Sequence, residues 1–229
     1  MYKEKIVILT GAGMSADSGL KTFRDHDGLW EGHDVMQVAT PEAWASDQDL
    51  VLEFYNQRRS NLRDAKPNDG HKALVELEDK YEVHIVTQNV DDLHERAGSM
   101  NVMHLHGELF KVRSTGDPFL VYDWTEDLIS GDMCEKGYQL RPHIVWFGES
   151  VPMIEQAAHI CSQADKMIII GTSLAVYPAA GLIHYTQPDI PKYLVDPKIP
   201  QGINLNNLKC IANTAKGGVP ELVKELLLD

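Results

Sequence analysis

Lys5-Ile6-Val7-Ile8-Leu9-Thr10-Gly11-Ala12-Gly13-Met14-Ser15-Ala16-Asp17-Ser18-Gly19 is the stretch whose reading decides the fold. Its first part is an apolar run rich in β-branched residues, which reads as a strand buried on both faces, as in a parallel sheet. Its second part is glycine-rich. Gly11 and Gly13 let the backbone turn tightly and approach a ligand where a Cβ would collide. Gly-x-Gly-x-x-Ala is then expected to open a helix whose free N–H groups and positive dipole end favour a pyrophosphate. Alone, such a motif is equally an ordinary turn, so its surroundings decide.

Outward from this stretch, the same pattern repeats. Tyr81–Thr87 and Met167–Ile170 read as buried strands, Asn101–Leu105, Lys192–Val195 and Lys209–Ala212 as shorter ones. Between them lie helical patterns: 46–65, opened by Ser46 with Asp49 and stopped before Pro67; His71 to Lys80; Leu93–Ala97, closed by Gly98; Pro152 to Ala164; and a terminal helix begun at Pro220. The segment after Arg24, with His26, Trp30 and His33, has little periodicity and reads as a loop as far as Pro41. Residues 109–142 are mixed and aromatic, and look like a small subdomain. Strands alternating with helices imply an α/β fold: a Rossmann-like, doubly wound parallel sheet with a small inserted domain. The expected division is 1–24, 66–108 and 143–229 for the sheet domain, with 25–65 and 109–142 in the small one.

Composition narrows the class. At 229 residues with a 43% hydrophobic share, one compact unit with a substantial core is expected. No run approaches the ~20 apolar residues that span a bilayer. The first strand begins at Lys5, so no signal peptide is expected ahead of it. Cys134, Cys161 and Cys210 are few and widely spaced, which argues for a reducing cytoplasm over a disulfide scaffold. A net charge of -13 argues against nucleic acid or an anionic membrane as partner. It suits basic substrates, though most acidic chains are simply soluble.

In such sheets, ligands sit outside the carboxyl ends of the strands. Polar and small residues gather at those ends here: Gly11 to Ser15, Gln88 to Asp91, His106, Gly171 to Ser173, and Asp196. One crevice binding a large polar ligand explains that coincidence, and a dinucleotide fits it. On the 46–65 helix, Arg58 shares the apolar stripe of Val51, Phe54, Tyr55 and Leu62. Tyr55 and Arg58, three residues apart, are neighbours on one surface. A cation on an apolar stripe either finds a partner or lays its stem along the stripe with its head in water.

Gly-Ala-Gly-Met-Ser-Ala-Asp-Ser-Gly-Leu-Lys-Thr-Phe-Arg (11–24), Thr-Gln-Asn-Val-Asp-Asp-Leu-His-Glu-Arg-Ala-Gly (87–98), His106-Gly107, Val-Trp-Phe-Gly-Glu (145–149) and Gly-Thr-Ser-Leu (171–174) together resemble the sirtuins, NAD-dependent protein-lysine deacylases. The resemblance spans nearly the whole chain, in order. It implies NAD as cofactor and acylated-lysine proteins or peptides as partners, with a monomer expected. His106 would be the general base and Asn89 would orient the nicotinamide ribose and a water. Asp91 would hold the carboxamide, and Phe23 and Arg24 would cover the reacting ribose. Gly11, Ala12, Gly13, Ser15, Ala16, Trp30, Gln88, Val90, Gly171, Thr172, Ser173, Asp196 and Ala215 would complete the cofactor wall. The substrate backbone would add as a strand between Val145–Gly148, including Trp146 and Phe147, and the 174–178 segment. The implied reaction displaces nicotinamide by the acyl oxygen and yields free lysine and O-acyl-ADP-ribose.

Tyr55 and Arg58 match the Tyr-x-x-Arg pair of class III sirtuins, and Ala39 matches a small residue that widens their acyl pocket. The resemblance therefore implies a preference for succinyl or malonyl over acetyl groups. Two departures stand out. Most sirtuins carry two Cys-x-x-Cys pairs after the catalytic histidine; here Cys134 stands alone in that window, with Ser114 and Asp117 where the first pair would fall. One thiolate cannot make the sulfur site zinc prefers, so no metal is expected, with aromatic and aliphatic packing in its place. Asp196 stands where the family usually has asparagine; it either favours NAD over NADP or merely forms an Asp-Pro turn. A mono-ADP-ribosyltransferase and a non-catalytic NAD or ADP-ribose sensor are the alternatives. A dehydrogenase is disfavoured because the acidic residue that should end its second strand, Asp34, falls in a loop.

Overall fold

The computed structural model describes residues 3–21, 29–30, 32–200 and 202–228, with backbone only at 29 and 30. From the N-terminus, β1 (Lys5–Thr10) leads through the glycine turn into α1 (Gly13–Ala16), a single turn rather than an extended helix. The segment expected to be a loop holds short elements: β2 (Leu29–Trp30) pairs with β3 (His33–Asp34), and α2 (Val35–Val38) is capped by the Asp34 carboxylate, which accepts from Met36 N–H. The expected 46–65 helix is preceded by a separate one. Thr40 caps α3 (Pro41–Ser46), and Asp47, not Ser46, caps α4 (Gln48–Asp64) by accepting from Leu50 N–H at 3.0 Å. Asp47 leaves helical backbone angles, so the chain breaks there and restarts.

Next come α5 (Asp69–Glu76), β4 (Glu82–Thr87), α6 (Leu93–Ala97) and β5 (Val102–His104). Gly98 ends α6 at φ 113°, the left-handed cap that the sequence indicated. Then follow β6 (Gly107–Ser114), β7 (Val121–Asp123), β8 (Leu140–Ile144), α7 (Ile154–Ser162), β9 (Lys166–Ile170), a 3₁₀ segment (Ala179–Tyr185), β10 (Lys192–Val195), β11 (Leu208–Ile211) and α8 (Ala215–Leu228). Pro220 lies inside α8 and does not start it; the helix begins after Thr214, whose carbonyl accepts from Gly218 N–H.

The large sheet runs β11-β10-β9-β1-β4-β5, with every pair parallel. The chain builds outward from β1 on one side and returns to build outward on the other, so the order reverses between β1 and β9. Side-chain alternation along β1 splits the core into two layers. Ile6 and Ile8 pack with Leu74 of α5 and Val219 and Leu222 of α8. Val7 and Leu9 pack with Ala157 and Cys161 of α7 and Leu182 of the 3₁₀ segment. Because both faces are covered, the strands read as unbroken apolar runs.

A three-stranded antiparallel sheet, β7-β6-β8, stands apart from the parallel one. Its core joins Val112, Leu128, Cys134 and Leu140 to Leu52 of α4. Of the aromatics expected to help fill it, Tyr122 and Trp124 pack against this aliphatic cluster and Phe110 against the neighbouring one, whereas Phe119 and Tyr138 are exposed. No helix among the described residues is long and apolar enough to cross a membrane.

Candidate active site

The order reversal between β1 and β9 opens a crevice at the carboxyl ends of the strands. Gly11 N–H donates to Ile170 O at 3.0 Å, and Gly13 N–H to Gly171 O at 2.8 Å. A Cβ on Gly13 would meet Gly171 Cα at 2.6 Å, and one on Gly11 would meet Gly171 O at 2.8 Å. The close approach expected against a ligand is therefore made first against the neighbouring strand. With one turn of helix in α1, the dipole contribution is small. What remains is a floor of backbone and small side chains, Ala12 to Ala16 on one side and Gly171 to Ser173 on the other, beside a cleft of about 990 Å³. That is at the top of the ~300–1,000 Å³ range of ligand sites, which leaves room for a dinucleotide and a side chain together.

His106 borders this cleft. Its Nδ1 lies 3.0 Å from Gln88 O, and because a carbonyl only accepts, the proton sits on Nδ1 and Nε2 keeps its lone pair. Burial lowers its pKa, against the opposing pull of the Gln88 carbonyl. His104 behaves differently. Nδ1 bonds Asn89 O at 3.0 Å and Nε2 bonds the Glu95 carboxylate at 2.7 Å, so both nitrogens are taken. Burial opposes its charge, but Glu95 and the Asn89 carbonyl outweigh it and raise its pKa.

Ser15 joins the remaining polar groups. Asn89 Nδ2 donates to Ser15 Oγ at 3.2 Å, and His71 Nε2 lies 3.5 Å from it. Asn68 N–H donates to His71 Nδ1, which leaves the proton on Nε2. Burial drives His71 down to about 4, so it stays neutral. Ser15 accordingly accepts twice and gives its own proton to Asp91. Asp91 also accepts from Leu93 N–H at 3.2 Å; its pKa is raised by burial, which these bonds offset only partly. Below them Thr10 donates to Thr87 at 2.8 Å, and Thr87 accepts from Asn89 N–H at 3.0 Å. The two strand-end threonines thereby hold the turn that presents Asn89.

A second wall comes from α4 and the segment after β8. Tyr55 and Arg58 both border the cleft, with Ala39, Val145, Trp146, Phe147 and Gly148. Tyr55 is fully buried, and burial pushes its hydroxyl up to about 12. Arg59 turns the other way: Nη1 donates to Asn56 Oδ1 at 2.7 Å within α4, and Nε donates to Leu109 O, tying α4 to the small sheet. One residue along a helix is a turn of about 100°, which separates the two guanidinium groups.

The structure thus brings to one cleft Gly11, Ala12, Gly13, Ser15, Ala16, Ala39, Tyr55, Arg58, Gln88, Asn89, Val90, Asp91, His106, Val145–Gly148, Gly171, Thr172, Ser173 and Asp196. Asp196 forms the turn considered for it, since Oδ1 accepts from Lys198 N–H at 2.8 Å, and the residue also borders the cleft. Ala215 does not belong there: its side chain packs in the core with Leu222 and Met14, and Thr214 borders the cleft instead. Phe23, Arg24 and the side chain of Trp30 lie outside the described residues. Sequence reasoning missed His71, Thr10, Thr87 and Arg59. For His71 a signal existed, in the Asn68-Asp69-Gly70-His71 start of α5, where the Asn68 side chain accepts from N–H groups of the first turn and His71 bonds back.

The residues fit NAD: a side-chain-poor floor at Ala12–Ala16 and Gly171–Ser173, a carboxylate at Asp196 beside it, and amide, carboxyl and imidazole groups together at the other end. The Sir2 family model matches residues 11–178. An "NAD-dependent protein deacylase" of Helicobacter pylori (strain ATCC 700392 / 26695) is 54% identical over 224 residues, 98% of either chain. A mutant Sir2 homologue solved with ADP-ribose aligns with a TM-score of 0.90 at 37% identity, over 99% of this chain and 95% of that one. A Sir2 homologue solved with NAD aligns at 0.88 and 37%, over 99% and 90%. A crevice at the strand reversal, an imidazole offering its lone pair to it, and relatives alike from end to end agree: the chain belongs to the Sir2 family of NAD-dependent protein deacylases and uses NAD.

Proposed function

We propose that this deacylase acts on lysine side chains in peptides and prefers acidic acyl groups, succinyl and malonyl, over acetyl. The observation that carries the reading is that Tyr55, Arg58 and the small side chain of Ala39 all border the one cleft. A guanidinium offers a carboxylate two parallel N–H donors, and the neutral phenol adds a third. The peptide backbone would lie between 145–148 and 176–178, which both border the cleft.

NAD supplies the ribose carbon at which the acyl oxygen replaces nicotinamide. His106 Nε2 is the base that takes the proton of a ribose hydroxyl, held at that task by the Gln88 carbonyl. Asn89, fixed by Ser15, orients the ribose, and Asp91 accepts from the nicotinamide amide. Asp196 favours NAD over a 2′-phosphorylated form by charge repulsion.

The small sheet works without zinc in this reading. Its donor set does not suit the metal: Cys134 Sγ donates to Ser114 Oγ at 3.3 Å, and Asp117 pairs with Lys136 at 2.7 Å, which places a cation against the carboxylate.

The acyl preference is tested by kcat/KM on one peptide carrying succinyl-, malonyl- or acetyl-lysine. Loss of a bidentate partner for a desolvated carboxylate should lower the succinyl-to-acetyl ratio by at least ~10-fold in Arg58→Met. An unchanged ratio defeats the reading. Release of nicotinamide with the ADP-ribosyl group left on the protein instead of on the acyl group would favour the transferase alternative.

A further inference from the structure

Trp146 is buried between the acyl wall and a compact ionic cluster. Its indole N–H donates to the Tyr55 hydroxyl at 3.0 Å. The Arg141 guanidinium lies over the indole ring, 3.3 Å from its centroid, and reaches the Glu149 carboxylate at 2.7 and 3.1 Å. Glu149 accepts in turn from Trp146 backbone N–H at 2.8 Å and from Arg113 at 3.2 Å. One guanidinium–carboxylate pair therefore fixes both the ring and the backbone of Trp146.

The direction of the bond to Tyr55 matters. An indole can only donate, whereas a phenol donates once and accepts through its oxygen lone pairs. With Trp146 donating into the oxygen, the tyrosine proton cannot turn toward it. Among the described residues no acceptor takes that proton, although the residue is fully buried. A buried donor left so is costly, and an acceptor delivered by a ligand relieves the cost.

We propose that Trp146 is a specificity-determining positioning residue: its indole N–H sets the rotation of the Tyr55 hydroxyl so that the proton meets the carboxylate of an acidic acyl group. The proposal rests on the acidic-acyl reading above and explains why Tyr55 donates there. An acetyl group ends in a methyl and gains nothing from the arrangement, so Trp146 acts on the ratio of the two activities.

The experiment measures kcat/KM for succinyl- and acetyl-lysine forms of one peptide. The proteins are the wild type, Tyr55→Phe, Trp146→Phe, the double variant and Arg58→Met, with a sixth carrying β-(3-benzothienyl)alanine at position 146. That last side chain keeps the indole shape and replaces N–H by sulfur, which guards against a packing defect in Trp146→Phe. Losing one charge-assisted hydrogen bond should lower the succinyl-to-acetyl ratio about tenfold in each variant at position 55 or 146. The double variant should fall no further than Tyr55→Phe, because Trp146 acts through that hydroxyl. An unchanged ratio with the benzothienyl side chain overturns the proposal, and so does a loss shared equally by both substrates or persisting in the Tyr55→Phe background. If Arg58→Met collapses the ratio while the position-146 variants keep it, the proposal alone has failed. If wild type shows no succinyl preference and Arg58→Met changes nothing, the acidic-acyl reading has failed and the proposal falls with it.

Discussion

His106 hangs from the Gln88 carbonyl by one nitrogen and leaves the other for the cleft. A base must be unprotonated to act, and burial has already moved this one below its ordinary 6.5. The acid limb of kcat/KM should therefore fall below pH 6.5, with activity flat through neutrality on that side. A limb centred above 6.5 would contradict the assignment. His106→Ala should lower kcat by ~10²–10⁴, as loss of a general base does. At this scale the apolar stripe read from the sequence puts Arg58 on a face with Tyr55, and both border the cleft. It could not show why Arg59 is buried, since Leu109 O, which it binds, lies 50 residues away. Ser15 was legible as a turn residue near phosphate; its service to Asn89, His71 and Asp91 depends on partners from three other segments.

The small antiparallel sheet shows what an element can and cannot reveal about itself. Its central strand mixes buried with part-exposed side chains and Phe119 and Tyr138 lie outward, so 109–142 carries none of the unbroken apolar runs that marked β1, β4 and β9. Its hairpins are drawn together by Ser114, which accepts from Gly116 and Asp117 N–H groups and from Cys134, and by the Asp117–Lys136 pair. If these contacts hold the sheet, prolonged chelation should leave the thermal midpoint unmoved, and elemental analysis should find no stoichiometric zinc. About one tightly held zinc per chain would overturn that account. The break at Asp47 and the early start of α8 went unread for a simpler reason. At the first, Ser46 and Asp47 are adjacent cap candidates and only Asp47 takes the Leu50 N–H; at the second, the helix already runs from Ala215 through Pro220.

Across the whole molecule, the parallel sheet and its crevice were legible because burial on both faces and polarity at the carboxyl ends repeat from strand to strand. The pairing of His104 with Glu95 was not, yet it gives folding a pH dependence. His104 has a raised pKa in the folded chain, so its contribution is complete below 6.5 and is lost as pH climbs through the raised value. Burial raises Glu95 but the His104 bond prevails and lowers it, so its contribution is present above 4.5 and lost as pH falls through the lowered value. The difference in urea midpoint between wild type and Glu95→Gln should therefore be widest between pH 4.5 and 6.5. It should narrow as pH rises further; a gap that widens with alkalinity would show that the pair is not what couples folding to protons.

The central place of β1 has a consequence for how the protein comes into being. It is made before β4 and β9, yet it pairs with both, and Lys5 is joined to Asp165 across 160 residues. One edge of this apolar strand must therefore wait, unzipped, until the 160 residues that separate Lys5 from Asp165 have followed it. A nascent chain in that interval presents a sticky margin to its neighbours, and chaperone shielding of that margin would matter more to yield than the stability of the finished fold.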